Sequence, residues 1–318
     1  MAILGFYKIR TKIAFIFFKI YVKIIQEEIY MHYKEYQTIL SKDNGMNIYR
    51  GCTHGCIYCD SRSVCYHIGD DFTDVEVKKD APMMLEKELL LKRNRKIMIS
   101  TGAMGDPYCH LEKELEYTRK CLEVIEKYKA GIAIQTKSTL LLRDLDLLKK
   151  INEKSKVVVE VTLTTASDKL CKIVEPNVSV TSERVKMLKK LQREGIKTIV
   201  WLCPFLPYIN DTEENLLQLL DYIEECKVYG IIFFGFGLTL REGNREYFYK
   251  KLDESFPSLK ERYIKEYGNS YEVNSKNSKR LYQLLVSECK KRNIILGNDY
   301  LFSYLHEFPQ EFRQISLF

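Results

Sequence analysis

The densest group of chemistry-bearing side chains is the stretch IYRGCTHGCIYCDSR, residues 48–62, which sets Cys52, Cys56 and Cys59 in a C-x3-C-x2-C spacing. Thiolates are ligands of both zinc and iron–sulfur clusters. A closed zinc site wants four ligands, commonly as two separated pairs, and no second cysteine pair lies elsewhere in the chain. Three thiols suit a cubane cluster that leaves one iron without a protein ligand, open to a substrate or cofactor. Gly51 and Gly55 would let the backbone wrap closely around such a centre. The alternative is zinc with His54 as fourth ligand, in a non-catalytic metal-binding module. His54 and Cys56 lie too near Cys52 in sequence for an easy tetrahedral clasp.

The elements that must position these thiols follow from composition and periodicity. The chain has 318 residues, 46% hydrophobic and 29% charged. That is enough to bury a core without disulfide or metal staples. Ten cysteines are present, and those outside the cluster stand singly, often in apolar runs such as TIVWLCPF. No secretion signal is read, so a reducing cytoplasmic compartment is expected, with the single cysteines as small core residues. The net charge is +7, and residues 1–30 hold five basic side chains against two acidic ones. The remainder is only mildly basic, weak support for a nucleic-acid partner.

Residues 1–30 are expected to be a separate basic and apolar segment. Their longest apolar run, Ile13 to Phe18, is too short to span a bilayer. A basic amphipathic helix on a membrane is one reading. The favoured one is that translation starts at Met31 and the segment is not native.

From Lys96 onward, short β-branched runs alternate with amphipathic helical stretches. KIMIS (96–100), GIAIQT (131–136), KVVVEVTLT (156–164), KTIVWLCPF (197–205) and GIIFFGFG (230–237) read as strands. Residues 82–93, 111–128, 182–195 and 212–226 read as helices between them, and GMNIY (45–49) as a first strand. Six such units predict an α/β fold, a partial (β/α)6 TIM-like barrel over residues 31–240. Residues 241–318 are expected to form a C-terminal helical extension. The cysteines then fall in the first βα loop, at the face where such barrels carry their chemistry.

Two longer stretches carry a resemblance. NIYRGCTHGCIYCDSRS, with Tyr58 before the last cysteine, is similar to the signature of the radical S-adenosylmethionine (radical SAM) superfamily. The segment from Thr162 to Asn215, with Glu175-Pro176, Arg184, Gly195-Ile196, Pro204 and Pro207, looks most like the branch containing spore photoproduct lyase. The resemblance spans about residues 31–300 and implies a mechanism. A [4Fe–4S] cluster on Cys52, Cys56 and Cys59 would bind S-adenosylmethionine at its open iron and cleave it reductively. The resulting 5′-deoxyadenosyl radical would take hydrogen from a substrate. A one-electron donor such as a flavodoxin or ferredoxin is implied, with no membrane span. In TGAMGDP, Gly102, Ala103 and Asp106 would hold the methionyl amino group. Thr162 and Thr164, two apart on one strand face, would meet the ribose. Arg184 would pair with the methionyl carboxylate. Tyr58 would lend its backbone near adenine. The branch's cysteine hydrogen donor is missing here, where Ala103 stands in STGAMGD. Cys109 is the weak catalytic candidate that remains, and photoproduct-lyase repair is the alternative activity.

Overall fold

The computed structural model describes residues 31–69, 71–92 and 96–309. The expectations for residues 1–30 lie outside the described residues. In chain order the strands are β1 (Met31–Lys34), β2 (Gly45–Met46), β3 (Tyr49–Arg50), β4 (Val75–Lys78), β5 (Met98–Thr101), β6 (Gly131–Thr136), β7 (Val157–Thr162), β8 (Lys197–Trp201), β9 (Gly230–Ile232), β10 (Gly237–Thr239), β11 (Glu272–Asn274) and β12 (Ile295–Leu296). Seven of them form one sheet in the order β12-β9-β8-β7-β6-β5-β2, with every neighbouring pair parallel.

The strands read as unbroken apolar runs because both faces are buried. Ile132, Ile134, Val157, Val159, Val161, Val200 and Ile231 join the large core that includes the crossover helices. Their neighbours Ala133, Val158, Ile199 and Ile232 belong to a separate inner cluster with Leu301 and Leu305. Those leucines belong to the helix Asn298–His306, which packs against both β5 and β9. Three strands separate β5 from β9 in the sheet, so the sheet must curl for one helix to touch both. Lys156, at the foot of β7, donates to the carbonyls of Tyr304 and Glu307 and holds the end of that helix.

The C-terminal extension differs from its helical expectation. It contributes β11, antiparallel to β10, and β12, a seventh parallel strand at the sheet edge. The apolar run around Ile295 is too short to stand out against helical periodicity. The expected helix over 111–128 is two helices, Glu112–Leu115 and Tyr117–Lys127, parted at Glu116 with φ 53°. The cause is tertiary. The buried Glu112 carboxylate accepts from the Thr118 N–H at 2.9 Å and from Arg143 at 2.6 Å, restarting the helix around itself. The first expected strand also divides: β2 joins the main sheet, while β3 pairs with β4 in a small sheet completed by β1.

Leu301 is fully buried where the inner helix meets the sheet. Leu301→Ala is expected to cost about 2–5 kcal/mol. The check is urea unfolding, with a lower midpoint at an unchanged m-value.

Candidate functional site

The cysteine loop leaves β3 and is held by backbone bonds from two sides. The Cys52 N–H donates to the Phe72 carbonyl at 3.0 Å, and Ile57 N–H to the Val174 carbonyl at 3.0 Å. Asn177 donates through its backbone to His54 O and through its side chain to Thr53 O, each at 3.1 Å. The loop therefore docks on the turn that ends the helix Asp168–Val174. The Tyr58 hydroxyl donates to Glu175, and Glu175 pairs with Arg184. Arg184 Nη1 donates to the Thr162 carbonyl at 2.6 Å, at the end of β7, and Nε to Ser179 O at 2.8 Å. A continuous chain of bonds thus runs from the loop to the central sheet. Burial pushes the Glu175 carboxyl up, but Arg184 and Lys137 outweigh it and the net shift is downward.

Cys52, Cys56 and Cys59 line one cavity of about 620 Å³, together with residues at the C-terminal ends of β5, β6, β7 and β8. Its size is that of a small-molecule or cofactor site. Gly102, Ala103 and Asp106 line it, as does Tyr58. Gly102 has φ +105°, and a Cβ there would lie 2.2 Å from the Gln135 carbonyl oxygen, so only glycine fits. A Cβ on Gly105 would lie 2.7 Å from the Gly51 carbonyl, which is how TGAMGDP approaches the cysteine loop. The Asp106 carboxylate is largely engaged within the protein. It accepts from the Tyr108 N–H at 2.9 Å, the Thr136 hydroxyl at 2.7 Å and the Lys137 N–H at 2.7 Å, and faces His54 Nδ1 at 3.4 Å. Its visible work is to lock this loop onto the end of β6.

Thr162 lines the cavity, whereas Thr164 does not. Both hydroxyls are buried and neither has a hydrogen-bond partner among the described residues. Two expectations need correction. Arg184 does not line the cavity; it is fully buried and its guanidinium is spent on Glu175, Thr162, Ser179 and Cys171. Cys109 is also fully buried and outside the cavity, packed in the main core, with burial raising its thiol pKa well above the usual range.

The sequence reading missed two residues. Lys137, just beyond β6, lines the cavity, and among the described residues its ammonium has no hydrogen bond or ion pair. Burial pulls its pKa down, but Cys56, Glu175 and Asp106 raise it further, and the net shift is upward. Cys203, just beyond β8, is the other cavity thiol, with its pKa pushed up to about 12 by burial. Both sit immediately after strands that the sequence located, so position at a strand end was the available signal.

Burial raises the pKa of Cys52, Cys56 and Cys59 alike, so without a bound cation these thiols stay protonated at neutral pH. Among the described residues no three His, Cys, Asp or Glu side chains gather as a single metal ion would need. His54 is turned towards Asp106 and lies edge-on to His110, with ring centroids 5.5 Å apart.

Residues 46–223 match the radical SAM superfamily. The chain belongs to the radical SAM superfamily. An uncharacterized protein of Mycobacterium bovis is 31% identical over 223 residues, covering 69% of this chain and 65% of that protein. The chain thus spans about 65% of the length of this relative. An uncharacterized protein of Methanocaldococcus jannaschii is 30% identical over 255 residues, covering 79% of this chain and 87% of its own. Spore photoproduct lyase complexed with dinucleoside spore photoproduct superposes with a TM-score of 0.60 at 15% identity, covering 82% of this chain and 79% of that one. A variant of that lyase with bound AdoMet and dinucleoside spore photoproduct gives 0.59 at 14% identity, with the same coverage. At such identity the likeness concerns the fold. The cofactors of this radical SAM protein are those of the superfamily, a [4Fe–4S] cluster and S-adenosylmethionine. The residues present fit them: three thiols, an unpaired ammonium and an unpartnered hydroxyl open on one cavity.

Beside the cavity sits the chain's one tryptophan, Trp201, whose indole N–H donates to Glu160 at 2.6 Å. Burial raises the Glu160 carboxyl to about 7, opposed by that bond. The folded state therefore keeps this proton where the unfolded state has lost it. Stability from Glu160 is full below the ordinary glutamate range and falls as pH rises towards 7, by an amount on the order of 3 kcal/mol. Trp201 emission should titrate near pH 7 in this radical SAM protein, and Glu160→Gln should abolish that titration. The buried pair gives a second expectation: Arg184→Met should cost about 3–5 kcal/mol, against about 1–2 kcal/mol for Tyr58→Phe, both read by denaturant unfolding.

Proposed function

We propose that this chain is a radical SAM enzyme in which Cys52, Cys56 and Cys59 hold the [4Fe–4S] cluster and S-adenosylmethionine occupies the adjoining cavity. The carrying observation is that three loop thiols, the free ammonium of Lys137 and the unpartnered Thr162 hydroxyl face one cavity at the C-terminal ends of parallel strands. When bound, these groups supply reductive cleavage to a 5′-deoxyadenosyl radical that takes hydrogen from the substrate.

The chain's own residues bind and orient. Lys137 replaces Arg184 as the partner of the methionyl carboxylate, since its ammonium lines the cavity and forms no hydrogen bond or ion pair among the described residues. Gly102 and Ala103 offer backbone to the methionyl ammonium, on a loop that Asp106 makes rigid. Thr162 offers its hydroxyl to the ribose, and the backbone at Tyr58 borders the adenine. Six β/α units over residues 31–240 act as a partial barrel, and residues 241–309 cover its open side. A cytoplasmic location keeps the thiols reduced, and a flavodoxin or ferredoxin supplies the electron.

The substrate enters past Phe234, which is 62% exposed, and past Tyr271, Glu272 and Asn274 of the β10–β11 side. Asp60 and Glu272 are acidic groups of this lining. Among the described residues, Lys137 is the one lysine or arginine of this lining. A neutral or cationic substrate with a flat apolar part suits it.

Anaerobic reconstitution is expected to load about four iron and four sulfide per chain, and dithionite with S-adenosylmethionine to release 5′-deoxyadenosine. A colourless protein holding one zinc would remove the proposal. Cys56→Ala should lose both iron and cofactor cleavage. Lys137→Met should weaken S-adenosylmethionine binding about tenfold or more while iron content stays unchanged.

A further inference from the structure

Arg62 ends the single turn Asp60–Arg62 that follows Cys59, and its backbone N–H donates to the Cys59 carbonyl at 3.3 Å. Its guanidinium lies 3.8 Å from the centre of the Tyr247 ring and 4.6 Å from that of Phe72. Both rings are tied to the cysteine loop. The Phe72 carbonyl accepts from Cys52 N–H at 3.0 Å, and the Tyr247 hydroxyl donates to the Gly55 carbonyl at 3.4 Å. Arg62 Nε and Nη2 are buried without a hydrogen-bond partner, and among the described residues no carboxylate forms an ion pair with this side chain, although its charge helps to pull down the Asp71 carboxyl.

Such a cation is costly unless an anion sits close by. Cation–π contact addresses part of the charge but supplies no acceptor for the N–H groups. A cubane on three thiolates is anionic and becomes more so when reduced. Lys137 opens on the cavity, where a ligand carboxylate would neutralise it. Arg62 does not line the cavity, so its charge persists when the cavity fills.

We propose that the half-buried guanidinium of Arg62, whose Nε and Nη2 lack a hydrogen-bond partner, is the built-in counter-charge of the cluster and makes it easier to reduce. This deepens the function proposed above and rests on it. Arg62 is a positioning and tuning residue; it donates no electron and no proton. The electron comes from the external donor, and the cation favours the state in which the cluster holds it.

The test is a redox titration of anaerobically reconstituted full-length protein without S-adenosylmethionine, with iron and sulfide counted in each sample. Arg62→Gln is expected to shift the one-electron equilibrium at least tenfold towards the oxidised cluster, a midpoint lower by about 59 mV. Arg62→Lys, which keeps the charge, should stay within about twofold of wild type. A fully loaded Arg62→Gln with an unmoved midpoint overturns the proposal, as does an equal shift in both variants. Should Arg62→Gln fail to assemble a cluster, Arg62→Met takes its place. If both neutral variants fail while Arg62→Lys loads with the wild-type midpoint, the charge itself is required and the proposal stands. If Arg62→Lys fails with them, the role is packing and the proposal falls. Failure of the underlying function is separate: the wild-type chain would then take up no cluster.

Discussion

Glu175 and Arg184 meet with neither side chain exposed to water, and the cysteine loop is tied to the sheet through them. A buried ion pair gains little over apolar packing, but half of one is very costly. The pair therefore acts as an all-or-none lock. With both partners present, Tyr58 has an acceptor, Thr162 O has a donor, and the loop has one position relative to β7. The helix Asp168–Val174 and the helix Thr181–Arg193 exist in this register because they must deliver these two side chains to one point.

The curled sheet divides its inner face along the strand axis. Ala133 and Val158, near the starts of β6 and β7, close with Ile199 and Ile232 on the helix Asn298–His306. Glu160 and Trp201 come next on β7 and β8, already polar and still buried. Beyond them Thr162, Lys137 and Cys203 open on the cavity. Strand alternation produces this gradient directly, because residues two apart share a face and each step moves towards the site. The unpartnered polar groups gather at the last step, where a ligand can complete them.

Charge is distributed around the thiols with equal economy. Asp106 is satisfied by its own loop and by β6, so it fixes geometry rather than waiting for a partner. Lys137 and Arg62 are the reverse case, cations near the cysteine loop that form no ion pair among the described residues. Lys137 lines the cavity and Arg62 does not.

Much of this was legible in local sequence. The apolar runs of β5 to β8 and the Thr212 cap of the helix Glu213–Glu225 depend on neighbours within a few residues and stand where the sequence put them, whereas the run 230–237 is strand only over Gly230–Ile232 before β10 begins in another sheet. What tertiary structure decided was partnership. Arg184 looks like a ligand for a carboxylate until Glu175 is seen to fill it, and Cys109 looks available until its burial is seen. Lys137 looks like an ordinary surface lysine until its strand end is seen to face the cysteines. The seventh strand and the break at Glu116 were hidden for the same reason. A side chain's chemical type is a property of its own position, but whether that chemistry is free or already spent depends on residues far away in the chain, and only folding brings them together.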